Sequence, residues 1–184
     1  MKKLNKVVKI IAKVLEIGHW VCAGIMVVMA ICAGSVSERI SSFYSMNGLG
    51  HEADASVYGF EVGLVNSAGE INAKTFMLFA IGAVIIYALV AMIFRNIYLI
   101  IKKSESETPF SKDNIRMLRE IGIFSIAIPV IGLIMTTIIR LVVGVDLVEA
   151  SVNLGGIIMG IIILCLTQFF AYGAALEKDV DGLL

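Results

Sequence analysis

Charge is what this chain has little of. Charged residues make up 16% of its 184 residues, where a soluble domain of this size carries about 25%. Lysine plus arginine equals aspartate plus glutamate, so the formal net charge is zero. Without a global basic field, direct nucleic acid binding is excluded as a function class. Cysteine is also scarce. Cys22, Cys32 and Cys165 form no CxxC pair and no even-numbered framework, which excludes a disulfide scaffold and a zinc site. All three fall in apolar surroundings and read as small apolar helix residues. The only histidines are His19 and His51, too few for a multi-histidine metal centre.

Long apolar runs are present instead. Apolar residues are 59% of the chain and the mean hydropathy is +0.93. Four runs, at about 14–34, 76–94, 121–143 and 152–175, each approach the roughly 20 helical residues that cross a hydrocarbon core about 30 Å thick. The expected fold class is an all-α membrane protein. It is a single domain over 1–184, a four-transmembrane-helix bundle whose solvent is the lipid bilayer. The first run follows a lysine-rich start and could be taken for a signal peptide. Its length of about 20 residues exceeds the usual 7–15 of a signal h-region, and Ile31 before Cys32 spoils a lipoprotein box. It reads as a retained first helix.

Basic residues orient the spans. Twelve of the fifteen lysines and arginines precede the first run, lie between the second and third, or follow the fourth; only Arg39, Lys74 and Arg140 fall on the other side. By the positive-inside rule both termini and the 95–120 loop are cytoplasmic, and the 35–75 loop is outside. Lys2, Lys6, Lys9 and Lys13 recur at spacings of four and three and make one cationic stripe on a helix. That stripe reads as a topology anchor attracted to anionic lipid, worth about 1 kcal/mol per basic residue near the surface. A specific partner site is the alternative.

The outer loop is long. Ser35–Arg39 could continue the first helix. Val57–Val65, rich in β-branched and aromatic residues, predicts a strand, Asn66–Gly69 a turn, and Glu70–Ala73 a short return strand, together a small extracytoplasmic β-hairpin cap. His51-Glu52-Ala53-Asp54 contains plausible metal ligands, but the spacing matches no known site and no metal is assigned. In the 95–120 loop, Thr108-Pro109-Phe110-Ser111 predicts a helix start with Ser111 as N-cap and Asp113 in the first turn. Lys112, Arg116 and Arg119 fall within about 60° of one another on a helical wheel, away from Ile115, Leu118 and Ile121. This segment reads either as a basic helix lying on the membrane surface or as a docking site for a cytoplasmic protein.

Ionisable residues within spans are costly and each needs a reason. Glu16 and His19, three apart with Trp20 adjacent, suggest half of a carboxylate-bridged di-iron bundle. The remaining ligands are missing, so no cofactor is assigned. The pair lies near the expected inner interface and reads as an anchor, with a proton or metal role as the alternative. Pro129 in mid-span should kink the third helix. Gly156 and Gly160, in a GxxxG spacing on the fourth run, allow close helix approach, either within the bundle or as a homo-oligomer seam.

Several fragments together resemble a bacterial membrane-protein family. These are Thr108-Pro109-Phe110-Ser111, Asn114-Ile115-Arg116, Leu118-Arg119-Glu120-Ile121-Gly122 and the tail 170–184 running from Phe170 to Leu184. The family is catalogued as domain of unknown function 2975, common in Firmicutes, and the resemblance covers nearly the whole chain. It implies a multi-pass protein of the bacterial cytoplasmic membrane with no assigned catalytic residues. Members are often encoded beside a small helix-turn-helix regulator, so the resemblance implies such a regulator as partner. The expected function is therefore a non-enzymatic membrane sensor that binds this regulator through Lys112, Arg116 and Arg119 with the acidic residues Glu177, Asp179 and Asp181. A small transporter or channel subunit using Glu16 and His19 is the alternative. No nucleophile–base or metal-ligand constellation supports an enzyme.

Overall fold

The computed structural model describes residues 2–46, 54–65, 71–104, 108–144 and 154–181. Helix α1 spans Lys2–Ile31 and α2 Ala33–Met46. Strands β1 (Asp54–Val57) and β2 (Phe60–Gly63) follow, then α3 (Ala73–Lys103), α4 (Lys112–Val143) and α5 (Leu154–Asp181). Among the described residues four helices are long and apolar enough to cross a membrane: Lys3–Ile31, Ala73–Lys103, Lys112–Val143 and Leu154–Val180. The chain is thus a multi-pass membrane protein. Each helix outruns its apolar run because the flanking polar residues continue the same hydrogen-bond ladder. The 95–120 loop consequently shrinks to a short connection between Lys103 and Lys112.

The chain folds as two compact units. The first comprises residues 1–19, 89–127 and 154–184; the second comprises 20–88 and 128–153. In the first, α4 and α5 cross where their backbones nearly touch. A Cβ placed on Gly160 would lie 2.5 Å from Ile126 Cγ1 and 2.7 Å from the Gly122 carbonyl oxygen, and one on Gly122 would lie 2.8 Å from Leu164. Gly160 is therefore occupied by packing inside the chain, which is the first of the two uses its GxxxG spacing predicts. Pro129 lies inside a continuous α4, where its ring removes the bond that the Ser125 carbonyl would otherwise accept.

In the second unit the helix after Ile31 continues as expected. Cys32 is a single turn residue, bridged by Cys32 N–H to the Val28 carbonyl at 3.0 Å and Val36 N–H to the Cys32 carbonyl at 2.9 Å. The hairpin differs from expectation. The segment predicted as one strand is split by a two-residue turn, and Asp54–Val57 pairs antiparallel with Phe60–Gly63. The turn residues Tyr58 (φ 50°) and Gly59 (φ 84°) are both left-handed, as hairpin turns matching strand twist require. Gly59 was the only local signal for it, and a bulky tyrosine at positive φ is an outlier in sequence statistics. The predicted turn 66–69 lies outside the described residues. Of the return strand expected over 70–73, Glu70 also lies outside them, Ile71 makes only an isolated bridge to Val65, Asn72 N–H donates to the Leu64 carbonyl at 2.9 Å, and Ala73 already opens α3. Asn72 then caps α3 through Oδ1, accepting from the Lys74 and Thr75 amides at 3.0 and 3.3 Å.

The hairpin is not a cap laid on the helix ends. Phe60, 2% exposed, stacks on Phe79 at 5.2 Å. It also fills the space that a Cβ on Gly82 or Gly132 would take, at 2.7 and 3.3 Å. Gly82 lies nine residues into α3, about 14 Å along its axis, so the tip reaches well down the helix. The β1–β2 ladder pairs the backbone groups that face each other across the two strands, with Val57, Phe60 and Val62 buried and Ser56 and Glu61 exposed. Tyr58 at the tip meets Tyr87 edge-on at 6.4 Å. Partial burial raises the Tyr58 pKa above the usual tyrosine value, with nearby Tyr87 and Cys22 adding to the effect.

Candidate functional site

The best-organised polar region of the first unit lies where α3 ends, α4 begins and α5 finishes. Ser111 caps α4: its hydroxyl accepts from the Asn114 amide at 3.4 Å and its carbonyl from the Ile115 amide at 3.1 Å, as its position predicts. Lys103 at the end of α3 pairs with Asp113 in the first turn of α4. Asn114 is 2% exposed, and its amide nitrogen faces the Ser104 hydroxyl and the Thr108 and Pro109 carbonyls at 3.4–3.5 Å. Those contacts are long, yet they gather three segments of the connection around one side chain.

α5 holds the connection from the other side. The Thr108 hydroxyl donates to Glu177 at 3.1 Å. The Phe110 ring sits in a notch left by Gly173, where a Cβ would lie 2.7 Å from it, and meets Phe170 at 5.5 Å. One turn further along α4, Asn96 of α3 donates to Glu120 at 2.9 Å while Arg116 Nε lies 3.8 Å from the other oxygen of that carboxylate. The result is a clamped edge between three helix ends. Exposed ion pairs contribute about 0–1 kcal/mol each, so the clamp relies on Phe110, Asn114 and Asn96 more than on its charges.

This edge divides the residues proposed from sequence. Lys112, Arg116 and Arg119 are exposed along one stripe of α4. Glu177 is half-buried against Thr108 and so belongs to the clamp, whereas Asp179 is exposed. Asp181 ends α5, and its side chain lies outside the described residues. Sequence reasoning missed Asn96, Asn114 and the Phe110–Gly173 fit. Asn96 did carry a signal, as an amide inside a helix otherwise apolar over most of its length.

Glu16 and His19 are close on α1 but differently engaged. Glu16 is turned inward, 7% exposed, and accepts from Lys13 Nζ at 2.9 Å. This inward orientation departs from an interfacial anchor: a buried carboxylate is retained where a cation and hydrogen bond meet it. His19 Nδ1 lies 2.7 Å from the Leu15 carbonyl, which makes Nδ1–H the donor, and its ring packs on Phe94. Among the described residues no group of three or more His, Cys, Asp or Glu side chains is placed to hold a metal. His51, Glu52 and Ala53 lie outside the described residues, and Asp54 opens β1. No protein-family model, curated protein or solved structure matches the chain.

Proposed function

We propose that the chain is a non-enzymatic protein of the bacterial cytoplasmic membrane that senses a membrane or envelope condition and restrains a small cytoplasmic helix-turn-helix regulator. Both termini and the Lys112–Glu120 segment face the cytosol in this reading, in keeping with the distribution of lysine and arginine. The observation that carries it is the clamped edge. Lys112, Arg116 and Arg119 stand exposed on a helix start held by Asn114, Phe110 and the Thr108–Glu177 bond. A rigid cationic stripe loses little side-chain and loop entropy on docking to an acidic partner surface, and mutation of such charges acts first on association. Asp179, exposed on α5, adds charge of opposite sign that sets the partner's orientation.

The test is co-purification of the adjacent regulator from membranes. Wild type should retain it, and Arg116→Glu with Arg119→Glu should lose it while still inserting and folding. Absence of any wild-type interaction ends this reading. The alternative, a small transporter or channel subunit, draws on the buried Glu16. Its test is ion flux into liposomes, and flux no greater than that of empty vesicles removes it.

A further inference from the structure

Most of α5 takes no part in holding the chain together. Of its most apolar stretch 11% is buried inside the chain, against 44% for α3. Its buried residues, Gly160 and Thr167, share one face. On another face Ile158, Ile161, Cys165, Gln168, Tyr172 and Ala175 are all exposed. Their spacings of three and four alternate and repeat every seven residues, the seam pattern of a left-handed coiled coil. At 100° per residue the six fall within about 100° of arc. Asp179 continues the spacing beyond the apolar run, where two like carboxylates would repel, so the seam ends at Ala175.

One member of this stripe is ill suited to lipid. Gln168 lies seven residues before Ala175, about 10 Å inside the C-terminal end of the apolar run and farther than a glutamine side chain reaches. It faces outward, and among the described residues none hydrogen-bonds its amide. An unsatisfied amide in hydrocarbon is costly, and polar side chains within spans are kept where another group meets them. Whatever meets Gln168 must offer both a donor and an acceptor at the same depth. A second copy of the chain does so necessarily. Copies inserted in one orientation bring α5 to α5 in parallel, about a two-fold axis along the bilayer normal. Gln168 then faces Gln168, and the two amides exchange N–H···O bonds in both directions. Cys165 and Ala175, small residues on the same stripe, let the helices approach closely on either side of the pair. A polar residue at a single seam position also fixes the register. We propose that two copies of the chain dimerise through α5, with Gln168 opposite Gln168 in a parallel coiled-coil seam from Ile158 to Ala175. Neither the exposed stripe of α4 nor the clamped edge takes part.

Cys165 reports on the seam, because facing seam residues of a parallel pair fall within the roughly 4.4–6.8 Å Cα separation that a disulfide spans. The test uses the full chain with Cys22→Ser and Cys32→Ser in liposomes at low protein density, oxidised with copper–phenanthroline and read on non-reducing gels. Cys165 should give a covalent dimer. Moving the thiol to the neighbouring exposed position, Cys165→Ser with Leu166→Cys, should lower the yield at least about tenfold. Gln168→Leu suits lipid and should insert and fold normally, yet raise the density needed for half-dimerisation about tenfold. Gln168→Asn, which keeps an amide, should raise it less. Equal yields at positions 165 and 166, a monomer at every density, or a Gln168→Leu chain that pairs as well as wild type each overturn the proposal. Oxidation in native membranes that joins Cys165 to a different protein instead of a second copy overturns the choice of partner. Should the serine variants not fold, Förster transfer between labelled N-termini of wild-type and of Gln168→Leu chains decides: lower transfer in Gln168→Leu supports the seam, and equal transfer overturns it.

Discussion

Replacing Phe60 by alanine should release the hairpin while leaving the helices folded. Its ring is 2% exposed, stacks on Phe79 and fills the gap beside Gly82 and Gly132. No smaller side chain can close that gap, because both flanking positions already lack a Cβ. Phenylalanine-to-alanine changes at tightly packed sites cost about 3–5 kcal/mol, and every 1.4 kcal/mol is about tenfold in an equilibrium. The undocked fraction of the hairpin should therefore rise by roughly two to three and a half orders of magnitude. Hydrogen exchange of the β1–β2 ladder amides, read peptide by peptide in detergent or nanodiscs, measures this fraction directly. Phe43→Ala, at a residue 59% exposed, serves as the comparison and should leave ladder protection within about threefold. A Phe60→Ala ladder as protected as wild type would refute the argument, because Phe60 would then not hold the hairpin in place. A second arm is Gly82→Ala, whose new methyl would lie 2.7 Å from Phe60 Cε1. It should cost about 1–3 kcal/mol by overpacking, and Phe60→Leu should recover part of that loss because the two sites share one contact.

The other predictions concern the first unit and the exposed helix faces. Gly160→Ala should destabilise the α4–α5 crossing by about 1–3 kcal/mol in thermal unfolding, since the added methyl meets the Gly122 carbonyl and Ile126. Gly24→Ala, where a Cβ would meet nothing within 4 Å, should be neutral or stabilising by up to about 1 kcal/mol. Lys13→Met should lower stability by about 1–3 kcal/mol because it strands the buried Glu16 carboxylate, and Lys13→Met with Glu16→Leu should recover much of it; a double variant worse than the single would count against the pairing. Phe110→Ala should raise proteolytic cleavage in 104–111 about tenfold or more by opening the Gly173 notch, without changing the helicity of the membrane spans.

The helices were legible because their causes are local. About 20 apolar residues in a row have few folds open to them in lipid, and Ser111 and Asp113 marked the start of α4 at the residue where it begins. The hairpin was half legible. Its β-branched composition pointed to strands, but the turn that divides them depends on Tyr58 adopting a left-handed conformation, which packing imposes and composition hides. Its depth was not legible at all, since nothing in Val57–Val65 says that Gly82 and Gly132 leave room for Phe60. The exposed basic stripe on α4 followed from spacing. The fixtures behind it did not, because Thr108 and Glu177, or Phe110 and Gly173, are joined only by tertiary contact. Glu16 illustrates the same limit: sequence placed it near an interface, while rotation about the α1 axis decided that it faces inward.

The way Phe60 is held also dictates an order of assembly. The hairpin leaves the ribosome before either wall of its slot exists: Gly82 follows some twenty residues later and Gly132 some seventy. Until α4 has been threaded into the bilayer, Val57 to Val62 must wait as an amphipathic ribbon at the interface, an unpaired edge open to stray partners. Locking the second unit thus waits for α4, and a chain stalled before α4 would display a greasy aromatic finger that quality-control proteases can recognise.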